Sequence, residues 1–360
     1  ALSGGELAIL KGLRELKKLA IISILNVLGA LISSVPLYYF FREKAIVPSL
    51  VIMALIQFAL TIAYSYRIYP LRLMNRWQNM RGGVGMLRLG IAFVIAGILG
   101  SGADFLIRSY INNVANIDTV GLFNAGYMMT MTYVGMVFAA METDFFPRLS
   151  GVNHYLFTFN QIVNRQIEVM LLLVSPLLVL FSLFLPILLP LLYTGKFMPA
   201  LGMMQVIMLV MYFRAIKLPV QYIPLAKGDS TSYLLLEAVY DVILVIAVLL
   251  NFNRLGLVGA GWAITIAGFL DAVLVFVYSR WKYGYKVSSS VLLYSSIQIP
   301  IGLLTFMITQ QDNLLVYWGG GLLLAMISIA ISFLFLRKKA NLWKGVASKL
   351  LRRIKRDGNN

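Results

Sequence analysis

The sequence predicts an all-α fold, a polytopic transmembrane helical bundle of ten spans, and three observations predict it. Ten continuous apolar stretches cover most of the chain, at 19–41, 46–66, 84–105, 119–141, 169–192, 201–223, 232–250, 257–278, 291–308 and 314–336. Lysine and arginine are sorted onto alternate connections between them, and those connections are short. A helix rises about 1.5 Å per residue, so about 20 apolar residues match a hydrocarbon core about 30 Å thick. The stretches are too long and too evenly apolar for soluble core helices, and they lack the two-residue alternation of a membrane barrel strand. A composition with 60% hydrophobic and 12% charged residues and a mean hydropathy of +0.84 agrees.

The net charge of +17 is explained by topology. Lys11, Arg14, Lys17 and Lys18 precede the first span, and Arg67, Arg72, Arg76 and Arg81 follow the second, with Arg88 opening the third. Arg148 and Arg165 follow the fourth, Lys217 and Lys227 mark the inner end of the sixth, and Arg280, Lys282 and Lys286 follow the eighth. The segment after the last span holds nine more, from Arg337 to Arg356. Of the 31 Lys and Arg, only Arg42, Lys44, Arg108, Lys196, Arg254 and the intramembrane Arg214 fall elsewhere. Because basic loops stay cytoplasmic, both ends of the chain are expected on that side and the span number must be even. This sorting leaves no case for nucleic acid as a partner.

The loops are too short for an extramembrane catalytic domain, so the predicted activity lies between helices and is not enzymatic. With no cysteine, disulfides and thiolate chemistry are absent; the lone His154 has no acidic cluster beside it, so no metal site and no cofactor are predicted. The chain opens on Ala-Leu-Ser-Gly-Gly with neither an initiator methionine nor a signal peptide, which reads as the interior of a longer protein. Three basic amphipathic stretches suit anionic lipid surfaces. They are 6–19, with Ile9, Leu13 and Leu16 on one face; 66–80, with Trp77; and the tail, with Trp343, Val346, Leu350 and Ile354 on one face.

Charges inside hydrocarbon cost about 2.5–3.5 kcal/mol each, so the few present here are informative. Asp104 and Arg108 stand one turn apart at the outer end of the third span, spaced for an ion pair. That pair serves either as a brace near the headgroups or as part of a cavity mouth. Deeper lie Arg214 on the sixth span, Glu237 and Asp241 on the seventh, and Asp271 on the eighth. Counted along the helices they reach similar heights, either as a self-neutralising cluster or as the lining of an aqueous cavity. In the second case Arg214 attracts an anionic group while a carboxylate exchanges H⁺ or Na⁺. Pro186, Pro190, Pro219, Pro224 and Pro300 are hinges or fixed kinks. The run Gly319-Gly-Gly321 suits close helix packing.

Several strings then carry a family resemblance: Asp104-Phe-Leu-Ile-Arg108, Val120-Gly-Leu-Phe-Asn-Ala-Gly126, Tyr133-Val-Gly-Met-Val-Phe-Ala-Ala140 and Asp144-Phe-Phe-Pro-Arg-Leu-Ser150, followed by Leu191-Leu-Tyr-Thr-Gly-Lys-Phe197, Leu225-Ala-Lys-Gly-Asp229 and Leu255-Gly-Leu-Val-Gly-Ala-Gly-Trp262. In order and at the span ends, they resemble the Wzx-like bacterial flippases of O-antigen and capsule repeat units. Those belong to the multidrug/oligosaccharidyl-lipid/polysaccharide (MOP) exporter superfamily. The resemblance implies a two-lobed MATE-like architecture from which about four N-terminal helices are missing. On that register 1–83 ends the first lobe, 84–287 is the complete second lobe, 288–337 is an added helix pair and 338–360 is a basic cytoplasmic tail.

The resemblance also implies alternating-access flipping of undecaprenyl-pyrophosphate-linked oligosaccharide across the bacterial inner membrane. The implied partners are that lipid-linked oligosaccharide, anionic lipids and other polysaccharide-assembly membrane proteins. Arg214, Arg108 and Asp104 become substrate or cavity residues, and Glu237, Asp241 and Asp271 ion-coupling candidates. The competing readings are a multidrug/cation antiporter or a peptidoglycan-precursor flippase of the same superfamily. A membrane glycosyltransferase or polymerase would need a catalytic outer loop, and a purely structural subunit would need no site.

Overall fold

A computed structural model of the chain describes residues 6–7, 10, 13, 15–67, 77–152 and 155–338, apart from the side chains of Leu16, Glu43 and residues 77–89. Among the described residues the secondary structure is helical, with no strand. The helices are α1 (Leu16–Phe41), α2 (Ile46–Tyr66), α3 (Trp77–Val114), α4 (Ile117–Ser150), α5 (Leu156–Leu192), α6 (Leu201–Ala226), α7 (Ser230–Tyr283), α8 (Ser289–Thr309) and α9 (Val316–Lys338). Short 3₁₀ turns, Arg42–Ala45 and Gly195–Ala200, precede α2 and α6, and α9 opens on a π turn, Val316–Gly320. In hydrocarbon the backbone must satisfy its own hydrogen bonds, and uninterrupted helix does so even through Pro176, Pro186 and Pro190 of α5.

All ten predicted stretches are helical. Among the described residues eight helices are long and apolar enough to cross a membrane, so this is a multi-pass membrane protein. Two of the predicted spans share α7, and the fourth lies in α4, which is outside those eight. Within α7 the backbone leaves helical geometry at Gly256, with φ 58° and ψ −136°. A side chain would strain that conformation. Three residues on, a β-carbon at Gly259 would sit 2.2 Å from the Asn251 carbonyl oxygen, so the reversal between the two arms of α7 needs both glycines.

Two compact units divide the chain: 1–84 with 140–151, and 85–139 with 152–360. In the first, α1 and α2 form an antiparallel hairpin, with Leu19 and Ile22 against Leu60 and Tyr64, and Tyr38 hydrogen-bonded to Ser49 at 3.1 Å. Leu7 and Leu10 join this cluster, and Leu10 is fully buried, whereas Leu13 is 51% exposed. Leu7 and Leu10 thus pack on the hairpin, while Leu13, from the apolar face read in the sequence, points away from it. Most of the 66–80 stretch and nearly all of the tail lie outside the described residues. In Asp144-Phe-Phe-Pro-Arg-Leu-Ser150, Asp144 and Arg148 form an ion pair of 3.6 Å on a turn of helix that also buries Phe145 and Leu149.

In the second unit, contacts recur at nearly constant offsets. Gly261 packs on Met203 and Gly268 on Val210, while Thr265 donates to the Val206 carbonyl at 3.0 Å, so α6 runs parallel to the second arm of α7. The Phe93–Tyr233 ring contact, Gly100 beside Asp241, and Tyr110 donating to the Leu249 carbonyl set α3 parallel to the first arm. Helices α8 and α9 form an antiparallel pair joined by Gln298, fully buried, which donates to Ser332 and accepts from Ser328. The pair packs on α5 through Val179, Ile301, Leu324 and Ala325. Buried amide and hydroxyl pairs of this kind fix helix register in a membrane, where apolar burial alone does not.

Candidate substrate and ion-coupling site

The six residues singled out in the sequence all belong to the second unit, on α3, α6 and both arms of α7. The predicted ion pair forms: Arg108 Nη1 lies 3.2 Å from Asp104 Oδ2. Its Nε also donates to Asn124 Oδ1 at 2.7 Å. Asn124 comes from Val120-Gly-Leu-Phe-Asn-Ala-Gly126, whose Gly126 lies against Met203 and Met204 of α6. One string thus brings α4 up to α6 and steers a guanidinium on α3. The pair is about one-third exposed and leaves Arg108 with further donors to offer.

Arg214 is half-buried on α6. Its Nη1 lies 3.6 Å from the Met131 thioether, and its guanidinium stands 6.0 Å from the centre of the Phe138 ring. Among the described residues no carboxylate pairs with it. Glu237, Tyr127 and Tyr240 lie within its electrostatic range. Ring and sulfur soften its desolvation without neutralising it.

The carboxylates are distributed otherwise than the sequence suggested. Asp271, 2% exposed, is bridged by Lys217, which the charge sorting had assigned to the cytoplasmic side. Lys217 lies one turn beyond Arg214, and its ammonium stands 5.1 Å from the centre of the Tyr240 ring. Its long stem lets the head turn inward rather than to the membrane surface. The amide of Gln221, one turn further, donates to Glu237. Asp241 is beside Gly100, within range of Asp104. The arrangement is thus a seam running from Asp104 and Arg108 through Tyr127, Arg214 and Asp241 to Glu237, Lys217 and Asp271. Sequence reading missed Lys217, Gln221, Asn124, Tyr127 and Tyr240. Spacing held a signal for two of them, since Lys217 and Gln221 follow Arg214 by three and seven residues on one helical face.

At the end of the α6–α7 turn, Leu225-Ala-Lys-Gly-Asp229 closes a separate polar knot. Gly228 has φ 70°, and Asp229 N-caps α7 by accepting from the Ser232 amide at 3.1 Å. Asp229 also accepts from Tyr283 at 2.9 Å and pairs with Lys282 at 2.7 Å, clasping the start of α7 to its end. Burial opposes ionisation of Asp229, but the hydrogen bonds from Lys282, Ser232 and Tyr283 outweigh it and hold its carboxyl well below the ordinary 3.8. The bond to Asp229, and then that to Tyr278, raise Lys282 above its ordinary 10.5. The clasp therefore adds stability between about pH 4 and pH 10, loses it as acid protonates Asp229, and loses it again as base discharges Lys282. Asp229→Asn is expected to flatten the fall of the thermal midpoint between pH 5 and pH 3; an unchanged acid slope would reject this account.

The family model for polysaccharide biosynthesis proteins matches residues 5–201. The chain belongs to that family. No curated protein matches it. Among solved structures it is similar to a MATE protein crystallised in complex with MaL6, with TM-score 0.64 and 13% identity over 73% of this chain and 62% of that one. The likeness shows a shared fold, and the chain spans 62% of that structure's length. A lipid II flippase, MurJ, in an inward closed conformation gives TM-score 0.49 and 12% identity over 89% of this chain and 68% of that one.

Proposed function

We propose that the chain is part of a MOP-superfamily transporter, not an enzyme, that flips undecaprenyl-pyrophosphate-linked oligosaccharide repeat units across the bacterial inner membrane by alternating access. This is the Wzx-like activity that supplies O-antigen or capsule, with both ends of the chain cytoplasmic. The observation that carries the reading is Arg214, a guanidinium inside the helical unit with no carboxylate on it, in a chain of the polysaccharide biosynthesis family. A planar, permanently charged fork binds phosphate oxygens bidentately, and a pyrophosphate completes a charge that Phe138 and Met131 only cushion. Arg108, steered by Asn124 and tempered by Asp104, takes the more exposed end of the same seam. Glu237, Asp241 and Asp271 are the coupling candidates. Asp241, beside Gly100 and without a cation on it among the described residues, is the first to test for H⁺ or Na⁺ exchange.

Complementation of a strain lacking its own polysaccharide flippase, using the full-length gene, tests this. Arg214→Ala is expected to cut surface glycan roughly tenfold or more, with accumulation of the lipid-linked unit on the cytoplasmic leaflet, at normal membrane abundance. Arg214→Lys should retain part of the export, and Asp241→Asn should abolish its dependence on the ion gradient. Normal export by Arg214→Ala and Asp241→Asn would remove the site. Drug resistance conferred by the gene without glycan export would replace the flippase with an antiporter.

A further inference from the structure

Away from that seam, the second unit carries a groove of about 760 Å³ between α8 and the last turns of α9. Ile297, Ile331, Leu334 and Phe335 form its apolar part, and Arg337 and Lys338 stand at its end. Ile331 precedes Lys338 by seven residues, so at about 1.5 Å per residue the apolar part reaches about 10 Å from the cations. It extends toward the centre of the span, within the roughly 15 Å of one leaflet's hydrocarbon. The walls are fixed in place. Gln298, next to Ile297, ties α8 to Ser328 and Ser332 of α9, and the Phe335 ring packs on Tyr294 with centroids 4.8 Å apart. Ile297 and Ile331 pack on the buried cluster of Val179, Ile301, Leu324 and Ala325. Arg337 and Lys338 are exposed, and among the described residues no carboxylate pairs with either.

We infer that this groove binds one anionic phospholipid, with an acyl chain along Ile297, Ile331, Leu334 and Phe335 and the phosphate at Arg337 and Lys338. The order of residues along α9 decides the class of occupant. The apolar part lies on the span side of the cations, where a chain descending from a headgroup must run, and a soluble anion has no use for it. Two adjacent cations without a carboxylate prefer an acidic headgroup to a zwitterionic one. Charge also excludes the segment after Lys338 as the occupant. It carries seven more Lys and Arg against one Asp, and would set like charge upon Arg337 and Lys338. Walls held by buried hydrogen bonds and ring packing lose little freedom on binding. Arg280 and Lys286 precede α8 at the same end of the pair, so this face as a whole draws acidic lipid toward the groove.

The chain contains no cysteine, so one introduced label reports one place. Leu334, 63% exposed in the groove, is replaced in Leu334→Cys and labelled with bimane. Met326, 61% exposed about two turns earlier on α9 and outside the groove, is replaced in Met326→Cys as the reference. Both are reconstituted into nanodiscs with lipids brominated on their acyl chains. At Leu334→Cys, phosphatidylglycerol should quench at a lipid fraction about 30-fold below that needed for phosphatidylcholine. At Met326→Cys the two lipids should differ by less than about twofold. Arg337→Gln with Lys338→Gln should erase the preference in the groove, and Arg337→Lys with Lys338→Arg should keep it, which separates charge from folding. Equal quenching by the two lipids at Leu334→Cys would overturn the proposal, as would a preference that survives the double glutamine variant. An equal preference at Met326→Cys would mean general enrichment of acidic lipid and overturn it too. A groove label that neither lipid quenches would assign the groove to another protein segment or a second copy, with the same consequence.

Discussion

Lys217→Met is expected to lower unfolding stability by about 3–5 kcal/mol, the largest single loss in the seam, because it leaves Asp271 charged and alone at 2% exposure. Asp271→Leu should cost a similar amount by stranding the ammonium, whose side chain is 12% exposed. The double variant Lys217→Met with Asp271→Leu should recover most of either loss, since two apolar side chains of similar volume remove both desolvation penalties together. Unfolding in mixed micelles, followed by tryptophan fluorescence, gives all four values. If the double variant loses as much as the two singles added together, the pair is not the energetic unit and its geometry is wrong. Transport in the double variant then separates structural from coupling roles. Export that survives would confine Asp271 to bracing α6 against the second arm of α7.

The second large effect is steric. Gly261→Val is expected to destabilise by about 3 kcal/mol, and Gly261→Ala by about 1–2 kcal/mol, because the added carbon meets backbone. A β-carbon at Gly261 would lie 2.9 Å from the Met203 carbonyl oxygen and 3.3 Å from its Cα. A helix backbone cannot rotate aside as a side chain does. Gly268 meets only the Val210 side chain, so Gly268→Ala should be milder if Val210 changes rotamer. Gly97 of α3 provides the contrast. Nothing lies within 4 Å of its added carbon, so Gly97→Ala should be neutral or gain up to about 1 kcal/mol from helix propensity. Equal responses at Gly97 and Gly261 would show that α6 and α7 do not approach at Met203.

How far the site was legible depends on the range of the interaction. The Asp104–Arg108 pair was readable because four residues along a helix fix two side chains on one face, whatever packs around them. The partner of Asp271 was not, because no rule of sequence spacing relates residue 217 to residue 271; the register of α6 against α7, set at Gly261 and Gly268, brings them together. Lys217 also misled for a physical reason. Basic residues at span ends normally mark the cytoplasmic surface, but a lysine stem reaches several ångströms either way, and the direction depends on what lies inside. The N-terminal stretch shows the same limit: periodicity puts Leu13 on an apolar face, but only the fold shows that Leu7 and Leu10 pack with Leu60 and Tyr64.

The sequence by itself determined that the chain is helical, that it crosses a membrane many times, and where the breaks between its spans fall. Each follows from local quantities: apolar run length against hydrocarbon thickness, and the short polar breaks that separate the runs. The tertiary structure alone decided that Arg214 faces a thioether and an aromatic ring while Lys217 takes the carboxylate, and that Asn164 braces the linker from α7 to α8, more than a hundred residues away. Those outcomes depend on helix register, and register is settled by close backbone approach and buried hydrogen bonds between segments remote in sequence.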